Sequence, residues 1–144
     1  MTMNAGHDVV LLHDPAAHRD SWALPDARVG HGQSWRASGE RLIRSQVLCP
    51  TIRWAKVFGR TPPRRLDGHA TATWDMALVL LAHVGDARLR CGERGIATRQ
   101  WVPYRDAARS VDDSALPDVG LLIEGYVDGR IPDGPIALKP EAGQ

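Results

Sequence analysis

The sequence predicts a single domain of the α+β class. Two observations support this class: apolar runs typical of β-strands recur along the chain, and two other segments carry helical signals. The 144 residues suit one hydrophobic core, and the contents of 43% hydrophobic and 24% charged residues are ordinary for a globular protein. We expect residues 1–130 to form the domain and residues 131–144, which contain three prolines, to form a loose tail.

The strand predictions rest on runs of apolar and β-branched residues. Residues 8–13 form an apolar run that an Asp-Pro pair ends, which is consistent with a buried strand. Residues 71–84 are rich in Thr, Trp, Val and Leu and end at a Gly-Asp turn, so they give the strongest strand prediction. Residues 52–58 and 97–104 are predicted to form further strands.

Two helices are predicted, one in the first half of the chain and one near its end. Ser34 is a good N-cap for a helix that runs to about Gln46, and Pro50 prevents that helix from continuing. In residues 116–127 the apolar side chains recur at the three- and four-residue spacing of one helix face, which predicts the second helix.

Composition argues against nucleic-acid and membrane partners. The formal net charge is +1, so the protein has no global field that would attract nucleic acid or an anionic membrane. No apolar run approaches the roughly 20 residues that span a bilayer, and no signal peptide is evident at the N-terminus. The two cysteines form no C-x-x-C pair. We therefore expect the protein to reside in the reducing cytoplasm.

The segment Trp22–Ser34 is the most informative part of the chain and reads W-A-L-P-D-A-R-V-G-H-G-Q-S. It resembles the start of the Nudix box, which has the pattern W-x-L-P-G-G-x-V-E-x-G-E-S. The matching positions are Trp22, Leu24, Pro25, Val29, Gly32 and Ser34. The box continues into a helix written R-E-U-x-E-E-x-G-U, where U is aliphatic, and Arg41 and Ile43 fit that frame.

The resemblance extends beyond the box and covers about residues 9–128. Residues 98–106, T-R-Q-W-V-P-Y-R-D, are similar to a late strand of the family that is commonly written E-V-R-W-V-P-L-D-E. Residues 116–118 precede an apolar segment where the family places its last helix. The resemblance implies a Nudix-type α/β/α sandwich with a mixed central sheet.

The acidic residues on which the family's chemistry depends are missing. Nudix hydrolases cleave a diphosphate linked to another moiety, and this reaction needs Mg²⁺ or Mn²⁺ held by carboxylates. Gln33 stands at the first box glutamate, and Leu42, Ser45 and Gln46 stand at the three helical glutamates. Since none of these side chains is charged, we expect no metal at the box positions and no other cofactor.

We therefore interpret the chain as a divergent Nudix-like protein, a pseudoenzyme with a degenerate Nudix box. Ordinary metal-dependent pyrophosphohydrolysis is expected to be lost or very weak, and the cleft is expected to bind a small, nucleotide-like ligand. Arg41, at the box arginine, and Arg28 are the positions suited to an anionic ligand. The alternative for both is an ordinary exposed arginine.

Two further hypotheses stay open. In the first, the chain is an active enzyme that uses Mg²⁺ and relocated acids, namely Asp26, Glu40 and Glu93, on an atypical substrate. The plainer interpretations of these acids are a turn residue, a solvated helix residue and an exposed loop residue, respectively. In the second hypothesis, the chain is a protein-interaction module or a homodimer.

Overall fold

The computed structural model describes residues 1–13, 22–49, 51–62, 64–66, 73–85, 87–90, 98–111 and 116–139. The elements in chain order are β1 (Thr2–Met3), β2 (Asp8–His13), β3 (Trp22–Ala23), α1 (Trp35–Gln46), β4 (Val47–Leu48), β5 (Ile52–Arg60), β6 (Arg64–Leu66), β7 (Thr73–Asp75), β8 (Leu78–Val84), β9 (Arg88–Leu89), β10 (Thr98–Pro103), α2 (Tyr104–Ser110), α3 (Val119–Val127) and β11 (Gly134–Ala137). Within these ranges, no helix has both the length and the apolar character needed to cross a membrane.

The central feature is a seven-stranded mixed sheet with the order β10-β2-β1-β8-β5-β11, in which β3 also pairs with β2. The β1–β8 and β5–β11 pairs are parallel, whereas β2 pairs with its neighbours in antiparallel fashion and so does β5 with β8. Two small antiparallel ladders, β4–β9 and β6–β7, lie outside this sheet.

Side chains of the central strands alternate between two hydrophobic cores. In β2, Val9 and Leu11 pack in one cluster with Leu122 of α3, while Val10 packs in the other cluster with Ile43 of α1. Because successive side chains of a strand point to opposite faces, the sheet lies between α1 on one side and α2 and α3 on the other. The predicted sandwich of helices around a mixed sheet is confirmed.

Helix α1 begins after Ser34 and ends at Gln46, as its sequence predicts. Ser34 is the N-cap, and its hydroxyl accepts a hydrogen bond from the amide of Ala37 at 3.4 Å. At the other end, Val47 turns into extended backbone while its amide donates to the carbonyl of Ile43. Pro50, the predicted terminator, lies outside the described residues.

The prediction of one strand over residues 71–84 is wrong, because the segment contains two strands, β7 and β8, that belong to different sheets. Residues 73–75 pair with β6, and only residues 78–84 join the central sheet. Thr61, which follows β5, bonds to Ala77, which precedes β8. The hydroxyl of Thr61 accepts from the amide of Ala77 at 2.8 Å, and its amide donates to the carbonyl of Ala77 at 3.0 Å. Residues 71 and 72 lie outside the described part.

The prediction of a loose tail after residue 130 is also wrong for the described residues. Strand β11 pairs in parallel with β5, and Leu138 is buried in the core with its amide donating to the carbonyl of Arg60 at 2.9 Å. Pro135 is tolerated because β11 is the last strand of the sheet, where a missing amide proton need not face a neighbouring strand. Residues 140–144 are not described.

Helices α2 and α3 approach each other closely at Gly120. The sequence predicts the second helix over residues 116–127, but it begins only at Val119. A β-carbon at Gly120 would lie 2.5 Å from the carbonyl oxygen of Ala108 in α2, which the sequence does not predict as a helix. The contact is with backbone, so rotation of a side chain cannot relieve it.

We expect Gly120→Ala to lower the free energy of unfolding by about 1–3 kcal/mol through overpacking. Alanine in a helix is ordinarily favoured over glycine by about 1 kcal/mol, so a decrease in the free energy of unfolding would have the opposite sign to the effect of helix propensity alone. Urea denaturation followed by circular dichroism measures the change. The neighbouring Leu121→Ala is the control, since Leu121 is 68% exposed. Stability of Gly120→Ala equal to or above that of the unchanged protein would contradict the close approach of α2 and α3.

Candidate functional site

The loop before α1 is closed by Gln33, the residue at the first degenerate box position. The backbone amide of Gln33 donates to the carbonyl of Gly30 at 3.0 Å. Its side-chain oxygen accepts from the amide of Gly30 at 3.1 Å, so the same two residues are joined twice. Gly32 between them has a φ of 75°, a left-handed conformation that favours glycine. The tight turn therefore requires a left-handed residue at Gly32 and uses the side chain of Gln33 as an acceptor.

Arg41 is bound to this loop through neutral acceptors. Its Nη2 donates to the side-chain oxygen of Gln33 at 3.3 Å and to the hydroxyl of Ser38 at 3.2 Å. Ser38 is buried and lies one helical turn before Arg41. The resemblance implies glutamate partners for the arginine at this position, and here the amide of Gln33 takes that part without a charge. Within the described residues, Nε and Nη1 of Arg41 make no hydrogen bond.

Glu40, the acid that the active-enzyme hypothesis places on the helix, is engaged by another residue. Its carboxylate accepts from Nε of Arg44 at 3.0 Å, one turn further along α1. Both side chains are about half exposed, at 47% for Glu40 and 48% for Arg44. An exposed pair at this helical spacing contributes only about 0.3–0.5 kcal/mol. This contact agrees with the plainer interpretation of Glu40 as a solvated helix residue.

The residues just described form an open groove of about 400 Å³ on the outer side of α1. Its lining residues are Gln33, Ser34, Ala37, Glu40, Arg41 and Arg44. Residues 34, 37, 41 and 44 follow the spacing of one helix face, which explains why they meet along the groove. With two arginines and one glutamate, the lining carries an excess of positive charge. We call this surface the α1 groove.

The three helical box positions do not line the α1 groove and hold no metal-binding charge. Leu42 is apolar and half-buried, and the hydroxyl of Ser45 donates to the carbonyl of Leu42 at 2.6 Å. Gln46 is 4% exposed, and its side-chain oxygen is buried without a hydrogen-bond partner in the described structure. The side-chain oxygen of Gln33 already accepts from the amide of Gly30 and from Nη2 of Arg41.

Magnesium therefore does not fit the residues at the box positions. The ion prefers carboxylate oxygens, and this set offers an apolar side chain and neutral oxygens that are engaged or buried. Over the ranges that the structure describes, no group of three or more His, Cys, Asp or Glu side chains is placed to hold a metal ion.

Two of the remaining predicted site residues, Asp26 and Arg28, do not line the α1 groove. Asp26 and Arg28 are exposed in the irregular segment before α1 and form no hydrogen bond or ion pair with the described residues. Glu93 lies outside the described residues. Ser38 and Arg44 were not predicted as site residues, although their spacings of three residues from Arg41 and four from Glu40 are the available signal.

A second polar contact joins the sheet to α3 on the opposite side of the molecule. Nε2 of His83 lies 2.6 Å from the hydroxyl of Tyr126. Burial lowers the pKa of His83, and the positive charges of Arg53 and His7 lower it further. Burial also raises the pKa of Tyr126. Both side chains are therefore neutral near pH 7, and the contact is a hydrogen bond between uncharged groups.

Comparison with known proteins finds similar structures but no similar sequences. No protein-family model and no curated protein matches the sequence. The structure is similar to that of the mutator MutT protein from Bacillus halodurans, with a TM-score of 0.58, 9% identity, and coverage of 98% of this chain and 88% of that chain. It is also similar to an Ap4A hydrolase from C. elegans, with a TM-score of 0.57, 13% identity, and coverage of 89% and 92%.

The chain has a Nudix-type fold. The likenesses span nearly the whole chain, and the mixed sheet between helix layers agrees with the fold that the sequence resemblance implies. At 9% and 13% identity they establish the fold alone.

Removing the side-chain amide of Gln33 is expected to release the loop before α1. In Gln33→Ala, the amide of Gly30 loses its acceptor, so its hydrogen exchange is expected to accelerate about fivefold, the equivalent of about 1 kcal/mol for one hydrogen bond. Amide exchange measured by NMR checks this rate. Gln33→Glu retains an acceptor oxygen and is expected to preserve protection. Exchange at Gly30 that is the same in Gln33→Ala and the unchanged protein would show that the side chain does not close the loop.

Proposed function

We propose that this Nudix-fold protein has lost ordinary metal-dependent pyrophosphohydrolysis and that its α1 groove binds a small, nucleotide-like anion. The observation that supports the proposal is the hydrogen bonding of Arg41. Its guanidinium is oriented by two neutral acceptors, has no carboxylate partner among the described residues, and lines an open groove.

The proposed loss of hydrolysis follows from the absence of negative charge at the box positions. A bound divalent ion neutralises phosphoryl oxygens and activates water, and carboxylates are what hold such an ion. Leu42 supplies no ligand atom at all, and the hydroxyl of Ser45 is engaged with a backbone carbonyl. The charge that would attract the ion is absent from all four box positions, and Glu40 is paired with Arg44.

The proposed ligand binding follows from the orientation of Arg41. Since only its Nη2 is engaged, the Nε and Nη1 donors are left for a phosphoryl or carboxylate group, which a guanidinium binds well through its planar fork. The groove volume of about 400 Å³ lies within the usual range for small-molecule sites, about 300–1,000 Å³. The proposal extends to this chain the phosphate-linked ligands that are implied by the resemblance to the Nudix family.

Binding of ADP-ribose in the presence of EDTA tests the ligand proposal. We expect saturable binding by isothermal titration calorimetry without metal, weakened at least about tenfold in Arg41→Gln because a charge-assisted hydrogen bond is lost. Arg36→Gln is the matched control: Arg36 is exposed on the same helix but does not line the groove.

Absence of saturable binding, or equal weakening by the two substitutions, would refute the assignment of the groove. The second outcome would mean that the protein attracts ADP-ribose through its general positive charge rather than through Arg41.

Turnover of ADP-ribose, dinucleoside polyphosphates and nucleoside triphosphates in Mg²⁺ or Mn²⁺ is expected to be near background. Each ~1.4 kcal/mol of lost transition-state stabilisation lowers a rate about tenfold, so the loss of metal activation removes several orders of magnitude. Phosphate or nucleotide release, measured by chromatography, checks this expectation. Robust metal-dependent turnover would favour an active enzyme, and alanine substitutions of Asp26, Glu40 and Glu93 would then identify the acid responsible.

A further inference from the structure

The contact between His83 and Tyr126 joins the central sheet to the end of α3. His83 lies on β8 and points to the same face of the sheet as the buried Val79 and Leu81, which is the face that α3 covers. Its Nε2 is 2.6 Å from the hydroxyl of Tyr126, and the centroids of the two rings are 5.7 Å apart. Both side chains are half-buried. A change in the charge of His83 would therefore act where α3 meets the sheet.

The neighbouring strand places a permanent positive charge opposite His83. In the β5–β8 ladder Arg53 is the direct partner of His83, so both side chains lie on the same face of the sheet. Arg53 makes no hydrogen bond or ion pair within the described ranges. Like charges that are directly opposite in a sheet are destabilising. Protonation of His83 would create such a pair.

A second positive group near His83 is His7, in the turn between β1 and β2. It adds to the charge of Arg53 in opposing a proton on His83. Its ring meets that of Tyr104 edge to face, with 6.4 Å between the centroids. His7 has a φ of 62°, which is uncommon for a residue other than glycine, and the side-chain oxygen of Asn4 accepts two backbone amides of this turn at 2.9 Å each. The turn therefore holds His7 at this junction.

No negative charge compensates for a proton on His83. Neither β8 itself nor β1 on its other side carries another ionisable side chain. Asp133 acts on Tyr126 but is paired with Nζ of Lys56 at 3.8 Å. Asp128, the C-cap of α3, is already bonded to two other side chains at 3.0 Å each. In the part of the chain that the structure describes, no carboxylate bonds to His83.

We propose that His83 is an acid-sensitive switch: when neutral it anchors α3 to the sheet through Tyr126, and when protonated it weakens that anchorage by repulsion from Arg53 and His7. Burial and the two positive charges hold the pKa of folded His83 below its ordinary value of 6.5. Below about pH 6.5 the unfolded chain therefore takes up this proton before the folded protein does. The stability gained from neutral His83 is present above that pH and is lost as the pH falls through the lower pKa of the folded state.

Hydrogen exchange of the α3 amides at about pH 7.5 and about pH 5.5, corrected for the intrinsic pH dependence of exchange, tests the proposal. We expect acid to increase the opening of residues 123–127 at least about threefold more in the unchanged protein than in His83→Gln, which cannot take up the proton. His31→Gln is the matched control, because His31 is exposed in the loop before α1. It is expected to respond to acid as the unchanged protein does.

Arg53→Gln is a second test that keeps His83 and its contact with Tyr126, so it decides the matter even if His83→Gln fails to fold. We expect His83 to take up its proton at a higher pH in this variant, as measured from its imidazole resonances by NMR. Arg60→Gln is the control, since Arg60 is exposed on the same strand but lies opposite Leu78.

Two outcomes would overturn the switch. The first is an equal response of α3 exchange to acid in the unchanged protein and in His83→Gln. The second is a titration of His83 that Arg53→Gln moves no further than Arg60→Gln does. The switch lies on the other side of the sheet from the α1 groove, so neither outcome depends on whether ADP-ribose binds there.

Discussion

The organisation of the site depends on the hydrogen bonds that meet at the side-chain oxygen of Gln33. This one atom accepts from the amide of Gly30 and from the guanidinium of Arg41, so it closes the loop and ties it to the second turn of α1. Glutamine has the same length and the same acceptor geometry as glutamate but no charge. The side chain therefore closes the loop-helix junction without contributing a negative charge that would attract a cation.

The rest of α1 likewise carries neutral or positively charged side chains where the resembled family has glutamates or their neighbours. Ser45 uses its hydroxyl within the helix and Gln46 is buried, while the outward face carries Arg41 and Arg44. The helix is held at its N-terminal end by Ser34 and Gln33. At its C-terminal end, the backbone amide and Nε of Arg90 donate to the carbonyls of Gln46 and Arg44, each at 2.7 Å. The helix that carries carboxylates in the resembled family presents guanidinium groups here, and these are the basis of our proposal that its ligand is an anion.

The fold could be predicted from sequence where local signals and tertiary structure agree. Ser34 capped α1 as expected, and the apolar run of β2 is buried. Strand β11 could not be predicted, because its stability comes from pairing with β5 and from burial of Leu138, neither of which a proline-bearing segment reveals locally. In the site, Arg41 was singled out by its box position, but its neutral partners Gln33 and Ser38 could not be predicted from that position. No motif marked Arg90, because its contacts are with the backbone carbonyls of Arg44 and Gln46, which are distant in sequence.

We expect the four box positions to attract no divalent cation. Electron paramagnetic resonance of Mn²⁺ measures this, because the signal of the free hydrated ion falls when the ion is bound. A variant that carries Gln33→Glu, Leu42→Glu, Ser45→Glu and Gln46→Glu serves as the comparison. The natural protein should leave the free Mn²⁺ signal undiminished at millimolar ion, and the variant should reduce it. Saturable loss of the signal with the natural protein, abolished by Gln46→Ala, would show that the box positions bind a divalent cation.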